Sequence, residues 1–224
     1  AGTIVHTGDF KIDYTPPDGQ VTDLSALAAV GDRGVLALMC ESTNVERAGY
    51  TMSERKVAET FTEQISTATG RVIIAMFSSN INRVQQVVSC ALQYGRKVCF
   101  VGRSMVNTST VAMELGLLEI PREHILEMDD LNNYRDDQIL VITTGSQGEP
   151  MSGLTRMAFS EHRKLQIKAS DKVIISSSPI PGNEVFVSRV INQLYRCGAE
   201  VIYEAMADVH VSGHACQEEL KLMH

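Results

Sequence analysis

The sequence contains no apolar stretch long enough to cross a membrane. Nowhere do about 18 uncharged apolar residues follow one another, as a transmembrane helix would require. The amino terminus also lacks the order of basic, apolar and small residues that marks a secretory signal. These absences predict a cytoplasmic protein that makes no membrane contact.

Cysteine is scarce and shows no paired spacing. The five cysteines are odd in number, widely scattered and mostly set in apolar runs, so neither a disulfide framework nor a CxxC metal site is indicated. We expect buried thiols in a reducing compartment. The residues concerned are Cys40, Cys90, Cys99, Cys197 and Cys216.

The chain has no excess of basic residues. Its net charge is -7, whereas proteins that neutralise many phosphates usually carry a basic footprint. The negative charge therefore argues against nonspecific wrapping of nucleic acid. Part of it could belong to a metal centre, which would itself require carboxylates. The sequence also lacks a Gly-x-Gly-x-x-Gly motif after an early strand and a P-loop lysine motif, so a dinucleotide or nucleoside triphosphate site is not predicted.

Strand-like and helix-like segments alternate along most of the chain. Helical periodicity runs over 53–70, 80–95, 104–116 and 184–198, and each stretch ends at a glycine. This alternation predicts an α/β fold, with a Rossmann-like parallel sheet and helices on both faces. Apolar, β-branched runs of strand length are Thr3–Val5, Val35–Cys40, Arg71–Phe77, Lys97–Val101, Ile139–Thr143, Lys172–Ser176 and Glu200–Tyr203.

The two ends of the sequence are typical of an internal segment. Gly2 opens what reads as a strand already under way, and His224 stops the chain inside a helical pattern that no capping residue closes. We therefore expect this chain to be part of a longer protein.

Two carboxylates follow predicted strands. Asp9 ends Thr7-Gly8-Asp9, and Glu41 begins Glu41-Ser42-Thr43-Asn44. Acids placed at strand ends often bind metals. A turn-capping aspartate and a helix-capping or loop glutamate are the alternative interpretations, and spacing alone favours them.

Two histidines lie four residues apart in His210-Val211-Ser212-Gly213-His214. The glycine between them favours a loop over a helical metal face. Imidazoles in such a loop donate protons or bind anions near neutral pH. Taken singly, each histidine is more often a surface or packing residue.

Three polar loops follow predicted strands, at 77–80, 143–150 and 176–184. In a parallel sheet all three leave the carboxyl edge, where ligands bind in such folds. The serines of the third loop and the helix that follows it suit an anion such as phosphate. Ordinary loop chemistry, with Asn183 as an N-cap, is an equally good interpretation.

Taken in order, these motifs resemble the β-CASP branch of the metallo-β-lactamase superfamily, and the ribonuclease J family in particular. The resemblance covers nearly the whole chain. Thr7-Gly8-Asp9 matches the strand with a metal-bridging aspartate, Glu41 the first β-CASP motif and His214 the second. The strings Thr143–Pro150 and Ser176–Glu184 match ribonuclease J more closely than other branches.

The resemblance implies a cytoplasmic enzyme of RNA processing and decay that hydrolyses RNA with water held between two zinc ions. The full-length protein would be a homo-oligomer with 5′-3′ exonuclease and endonuclease activity and a preference for 5′-monophosphorylated RNA. Asp9 would bridge the metals, and His214, oriented by Glu41, would contact the scissile phosphate. The pocket for the terminal phosphate and the preceding base would be lined by Ser177, Ser178, His210 and Ser212.

The chain also departs from the family pattern. The His-x-His-x-Asp-His cluster that lies upstream of the aspartate strand in the family, and a further metal histidine downstream, are not found in this sequence. Asp9 is then the only expected metal ligand, whereas a zinc ion needs at least three protein ligands. We therefore predict that this segment alone hydrolyses no RNA and binds zinc poorly.

The resemblance also predicts domain borders and leaves alternatives. Residues 1–44 would end the lactamase-like part, 45–204 would form the β-CASP domain, and 205–224 would return to the lactamase-like part. One alternative function is a β-CASP endonuclease of the RNA 3′-processing type. A non-catalytic, Rossmann-like module that binds RNA or nucleotides is the other.

Overall fold

Two parallel sheets, one of five strands and one of two, organise the chain. The computed structural model describes residues 2–224, and Ala1, which belongs to the predicted first segment, lies outside that range. The chain divides into two units. One combines the residues up to Val57 with Val211–His224, and the other is Ala58–His210.

All seven predicted strand segments contain a strand. The strands are β1 (Thr3–His6), β2 (Val35–Met39), β3 (Val72–Ala75), β4 (Lys97–Val101), β5 (Ile139–Thr143), β6 (Lys172–Ile175) and β7 (Glu200–Ile202). The helices are α1 (Leu24–Asp32), α2 (Glu54–Ser66), α3 (Ile81–Gln93), α4 (Arg103–Glu114), α5 (Gly153–Ala158), α6 (Glu184–Arg196) and α7 (Gln217–Met223). Three short 3-10 helices cover Arg122–His124, Met128–Asn133 and Asp136–Gln138.

The five-stranded sheet of the larger unit has the order β4-β5-β3-β6-β7, and all its strands are parallel. The connection from β3 to β4 runs toward one edge, and the three later connections run toward the other. Because such crossovers are right-handed, α3 covers one face of the sheet and α4, α5 and α6 cover the opposite face. The expected α/β fold with helices on both faces is thereby confirmed.

The core of the larger unit lies around the three middle strands. Every residue of β3 and β5 is buried, as is every residue of β6. Strands covered on both faces need continuous apolar runs rather than alternation, which explains sequences such as Val-Ile-Ile-Ala. The sheet therefore gives the loops at its carboxyl edge a rigid base.

The smaller unit has little apolar core, and a buried carboxylate joins its parts. Glu219, in the first turn of α7, accepts hydrogen bonds from the backbone N–H groups of Ile12 (2.7 Å), Thr51 (2.7 Å) and Cys216 (2.8 Å). Burial raises the pKa of Glu219, but these bonds and the Thr51 hydroxyl outweigh burial, so its pKa lies below the ordinary value. The ionised carboxylate therefore holds three chain segments in place.

Two sequence-based expectations need correction. Helices α1 and α5 were not predicted. The prediction of buried thiols is wrong for Cys40, which follows the exposed strand β2 and is itself exposed, and for Cys197, which is only half-buried. The cysteines of the described chain are nevertheless all free, as the absence of a disulfide pattern indicates. Among residues 2–224, no helix is long and apolar enough to cross a membrane.

Candidate functional site

Strands β1 and β2 bring Asp9 and Glu41 to the same edge of the small sheet. They are parallel neighbours with His6 opposite Met39, so the residues that follow them leave the sheet together. Gly8 adopts a φ of +61°, a left-handed conformation that glycine accommodates without strain, just before Asp9. One potential ligand atom each of Asp9, Glu41 and His214 lies within 4.8 Å of the other two.

Glu41 and His214 form a direct pair. His214 Nδ1 lies 2.7 Å from Glu41 Oε2, and Glu41 Oε1 accepts a hydrogen bond from Phe10 N at 2.7 Å. Burial raises the pKa of Glu41, but the bonds from Phe10, His214, Thr43 and Ala215 outweigh burial and lower it. Because an ionised carboxylate can only accept, the proton of this pair lies on Nδ1, and Nε2 of neutral His214 carries a lone pair.

Asp9 differs from Glu41 in its surroundings. Its side chain is exposed, and no residue of the described chain forms a hydrogen bond with it. Its oxygens are therefore available to a cation, whereas those of Glu41 already accept hydrogen bonds. The sequence assigned a metal role to Asp9 alone. Carboxylate and imidazole groups are ligand types of zinc, but both oxygens of the nearby Glu41 and Nδ1 of His214 already form hydrogen bonds.

Asn44 fixes the loop that carries His214, a role that the sequence did not reveal. Its buried Nδ2 group donates to Ser212 Oγ (2.9 Å) and to the backbone oxygen of His214 (3.1 Å). His214 N also donates to Ser212 Oγ at 3.1 Å. Ser212 thus accepts two hydrogen bonds, which leaves its own hydroxyl hydrogen for a further acceptor.

In the larger unit, β3 lies between β5 and β6, so the three polar loops leave adjacent strands. Gln147 connects two of these loops. Its Nε2 donates to Ser177 Oγ (3.1 Å) and Ser178 O (2.9 Å), and its Oε1 accepts from Ile180 N (2.7 Å). The sequence drew attention to this loop but gave no role to Gln147, whose partners lie about thirty residues away and are known only from the fold.

Ser177 and Ser178 make internal hydrogen bonds. Ser177 is buried and donates its single hydroxyl hydrogen to Ser146 O at 3.0 Å. Ser178 is half-buried and donates to the carboxylate of Glu204. Asn183 occupies the N-cap position of α6 but makes no capping bond with its side chain. Both serine hydroxyls therefore hold the loop in place through hydrogen bonds within the chain.

His210 contacts a buried arginine. Arg83 Nη1 lies 2.9 Å from His210 Nδ1 and 3.4 Å from the backbone oxygen of Ser176. Arg83 is 2% exposed and occupies the first turn of α3, where its backbone N–H is capped by Asn80 Oδ1 at 3.0 Å. This contact connects the helix after β3 with the end of β6 and the segment after β7.

The three polar loops, at 77–80, 143–150 and 176–184, belong to a segment that matches a known family. The model of the family described as "Ribonuclease J, beta-CASP domain" matches residues 69–194, more than half of the chain. The chain belongs to this family. The expected resemblance is thereby confirmed.

Several ribonuclease J proteins are similar to nearly the whole chain. It is 51% identical to "Ribonuclease J" of Thermus thermophilus over 99% of its length, which is 39% of that protein. For "Ribonuclease J" of Helicobacter pylori the identity is 50%, over 100% of the chain and 32% of the relative. For "Ribonuclease J2" of Bacillus subtilis the values are 46%, 99% and 40%. The chain therefore spans about a third to two fifths of the length of these relatives.

Within this ribonuclease J family chain, the predicted site residues fall into two groups. The smaller unit holds Asp9, Glu41, His214 and Ser212. The larger unit holds Ser177 and Ser178, which Gln147 connects, and His210, which Arg83 contacts.

Proposed function

We propose that this chain is the β-CASP-containing part of a metal-dependent ribonuclease that hydrolyses RNA phosphodiester bonds. The observation that supports this best is the Glu41–His214 pair beside the exposed carboxylate of Asp9. Metal-assisted hydrolysis needs a metal ligand and a positioned group that transfers protons, and a carboxylate beside an oriented imidazole supplies both. Family membership and relatives called ribonuclease J support the same reaction.

Zinc is the metal that we propose, as two ions in the full-length protein. Asp9 would hold the metal, and residues outside this chain would have to complete its ligand set. When bound, zinc lowers the pKa of a water molecule and stabilises negative charge on phosphate oxygens.

His214 is the proposed proton-transfer residue. Glu41 accepts the Nδ1 hydrogen and so turns the unprotonated Nε2 away from the pair. That nitrogen can accept a proton near the scissile bond, and once protonated it can donate a hydrogen bond to a phosphate oxygen. Glu41 orients the ring, and Asn44 fixes the backbone that carries it.

The proposed substrate is RNA with a 5′-monophosphate, attacked both from its 5′ end and internally. Ser177, Ser178 and His210 of the larger unit, and Ser212 of the smaller unit, are each proposed to contact the terminal phosphate or the preceding base. The free hydroxyl hydrogen of Ser212 suits a phosphate oxygen. Ser178 would have to release the Glu204 carboxylate to do the same.

We also propose the wider setting that the family implies. The full-length protein would be a cytoplasmic homo-oligomer that acts in RNA processing and decay. In its domain plan, 45–204 would be the β-CASP domain, flanked by lactamase-like parts at 1–44 and 205–224.

The test uses the full-length protein with the substitution His214→Ala. We expect the single-turnover cleavage rate of 5′-monophosphorylated RNA to fall by about a hundredfold or more, while RNA binding is retained. His162→Ala is the matched control, because His162 lies in the larger unit and its Nδ1 accepts a hydrogen bond from Leu165 N. Unchanged cleavage by the His214 variant would refute the proposed role. Equal cleavage of 5′-hydroxyl RNA would refute the proposed end preference.

A further inference from the structure

We propose that Arg83 is a positioning residue that holds His210 as a neutral imidazole protonated on Nε2. This inference deepens the proposed function, because it assigns the chemistry by which His210 would meet RNA. It is carried by the 2.9 Å contact between Arg83 Nη1 and His210 Nδ1.

The arginine side chain can only donate hydrogen bonds. A guanidinium group has five N–H donors and no acceptor, and it does not lose its charge in proteins. A hydrogen bond at 2.9 Å therefore requires a lone pair on His210 Nδ1. A neutral imidazole with a lone pair on Nδ1 carries its hydrogen on Nε2.

The position of Arg83 is fixed by its own environment. The side chain is 2% exposed, it lies in the first turn of α3, and Nη1 also approaches the carbonyl oxygen of Ser176 at 3.4 Å. The Asn80 cap fixes the backbone of the same residue. Because the buried guanidinium is fixed, the more exposed histidine ring must turn an acceptor nitrogen toward it.

The two histidines of the motif are thereby set in opposite states. Glu41 can only accept, so His214 carries its hydrogen on Nδ1, whereas Arg83 can only donate, so His210 carries its hydrogen on Nε2. Neutral His214 offers a lone pair. His210 offers a hydrogen-bond donor.

This difference determines what each ring binds. A metal ion needs a ring nitrogen with a free lone pair, so His210 in this state is not a metal ligand. Its Nε2–H group is a hydrogen-bond donor, and the acceptor that it suits in an RNA substrate is an anionic phosphate oxygen. Arg83 thus selects phosphate binding for His210 without touching the substrate.

The first test measures the tautomer directly. Two-bond ¹H–¹⁵N correlation spectra of the 224-residue chain with labelled histidine distinguish Nδ1–H from Nε2–H rings, and a His210→Gln variant identifies which of the six histidine signals belongs to His210. We expect the Nε2–H pattern for His210 and the Nδ1–H pattern for neutral His214. An Nδ1–H pattern for His210 would overturn the proposal, and this measurement needs no variant of Arg83.

Variants then test the cause. Arg83→Met removes the donor, so we expect averaged shifts from both tautomers of His210, while Arg83→Lys, which still donates, restores the wild-type pattern. Arg96→Met is the matched control, since Arg96 is 3% exposed and donates to the backbone oxygens of Gly70 and Ile139. An unchanged His210 pattern in Arg83→Met would refute the role of Arg83. If this variant does not fold, the wild-type and lysine spectra decide.

The last arm uses the full-length protein. We expect Arg83→Met to raise KM for 5′-monophosphorylated RNA about tenfold, with a much smaller effect on kcat, and Arg83→Lys to recover most of the loss. Wild-type protein that cleaves no RNA would refute the proposed function but leave the tautomer result standing. Normal cleavage with the opposite tautomer would refute this inference alone.

Discussion

Gln147 uses one amide group to hold two loops of the sheet edge. We predict that Gln147→Leu lowers the free energy of unfolding of the larger unit by about 2 kcal/mol, because Ile180 N and Ser178 O each lose a partner. Amide hydrogen exchange at Ile180 should accelerate as well. Gln138→Leu is the control, since among residues 2–224 the Gln138 side chain bonds only the exposed Arg135 N, and its loss should cost a few tenths of a kcal/mol. Equal effects of the two substitutions would contradict this assignment.

The cysteines provide a second prediction at the scale of single residues. Burial, with a smaller contribution from Glu127, raises the pKa of Cys99 to about 12, whereas Cys40 is exposed. Since the thiolate is the reactive form, alkylation at about pH 8 should label Cys40 rapidly and leave Cys99 unmodified until the chain unfolds. Mass spectrometry of peptides after timed labelling measures both rates. Rapid labelling of Cys99 in the folded chain would show that the strand is not buried.

Sequence predicted the site residues that lie in short, recognisable strings. It missed residues whose partners lie far away along the chain. Asp9, Glu41 and His214 belong to short strings whose order is informative by itself. Arg83 and His210 are 127 residues apart, and either alone reads as an ordinary helix or loop residue. Only the strand order places them together, because it brings the loops after β3, β6 and β7 to one edge.

At the scale of elements, apolar runs predicted strands better than periodicity predicted helices. Strands β3, β5 and β6 are buried on both faces and stand out as uninterrupted β-branched segments. Helix α1 is apolar on nearly every side, with Leu24, Leu27 and Val30 separated by small residues, so no polar face sets off an apolar stripe. Helix α5 has only six residues and opens at a glycine inside a turn-rich stretch, where one helical period is hard to recognise.

Helix α7 depends on the carboxylate of Glu219. We predict that Glu219→Gln lowers the free energy of unfolding of the smaller unit by about 2 to 3 kcal/mol at neutral pH, because an amide cannot accept all the hydrogen bonds that the carboxylate accepts. The folded-state pKa of Glu219 is lowered, so its stabilisation is present at neutral pH and is lost as the pH falls through that pKa. Glu219→Gln should therefore lose less stability than the wild type does as the pH falls.

Denaturant unfolding, followed by hydrogen exchange at Ile12 and Thr51, measures this effect at several pH values. Glu218→Gln is a suitable control because, within the described part of the chain, the Glu218 side chain makes only an exposed pair with Lys221. If the free energy of unfolding changed with pH equally in the wild type and in Glu219→Gln, Glu219 would not be the group whose protonation lowers the stability.

For the whole molecule, we predict that the 224-residue chain alone releases no nucleotides from 5′-monophosphorylated RNA in the presence of zinc or manganese. Among residues 2–224, Asp9 is the one site carboxylate whose oxygens accept no hydrogen bond, and a catalytic zinc needs at least three protein ligands. Gel analysis of end-labelled RNA measures the result, with the full-length protein as positive control. Processive shortening of the RNA by the chain alone would contradict the prediction.

The β1–β2 pair has a practical consequence for handling this chain. Both strands are largely exposed, including Ile4, Leu36 and Met39, and a two-stranded sheet offers unpaired backbone groups along both outer sides. Another polypeptide can add a strand there, so we expect the isolated chain to self-associate through β-edge pairing as its concentration rises. Dilute samples and a lysine placed at Leu36 should keep the isolated chain monomeric in light-scattering measurements.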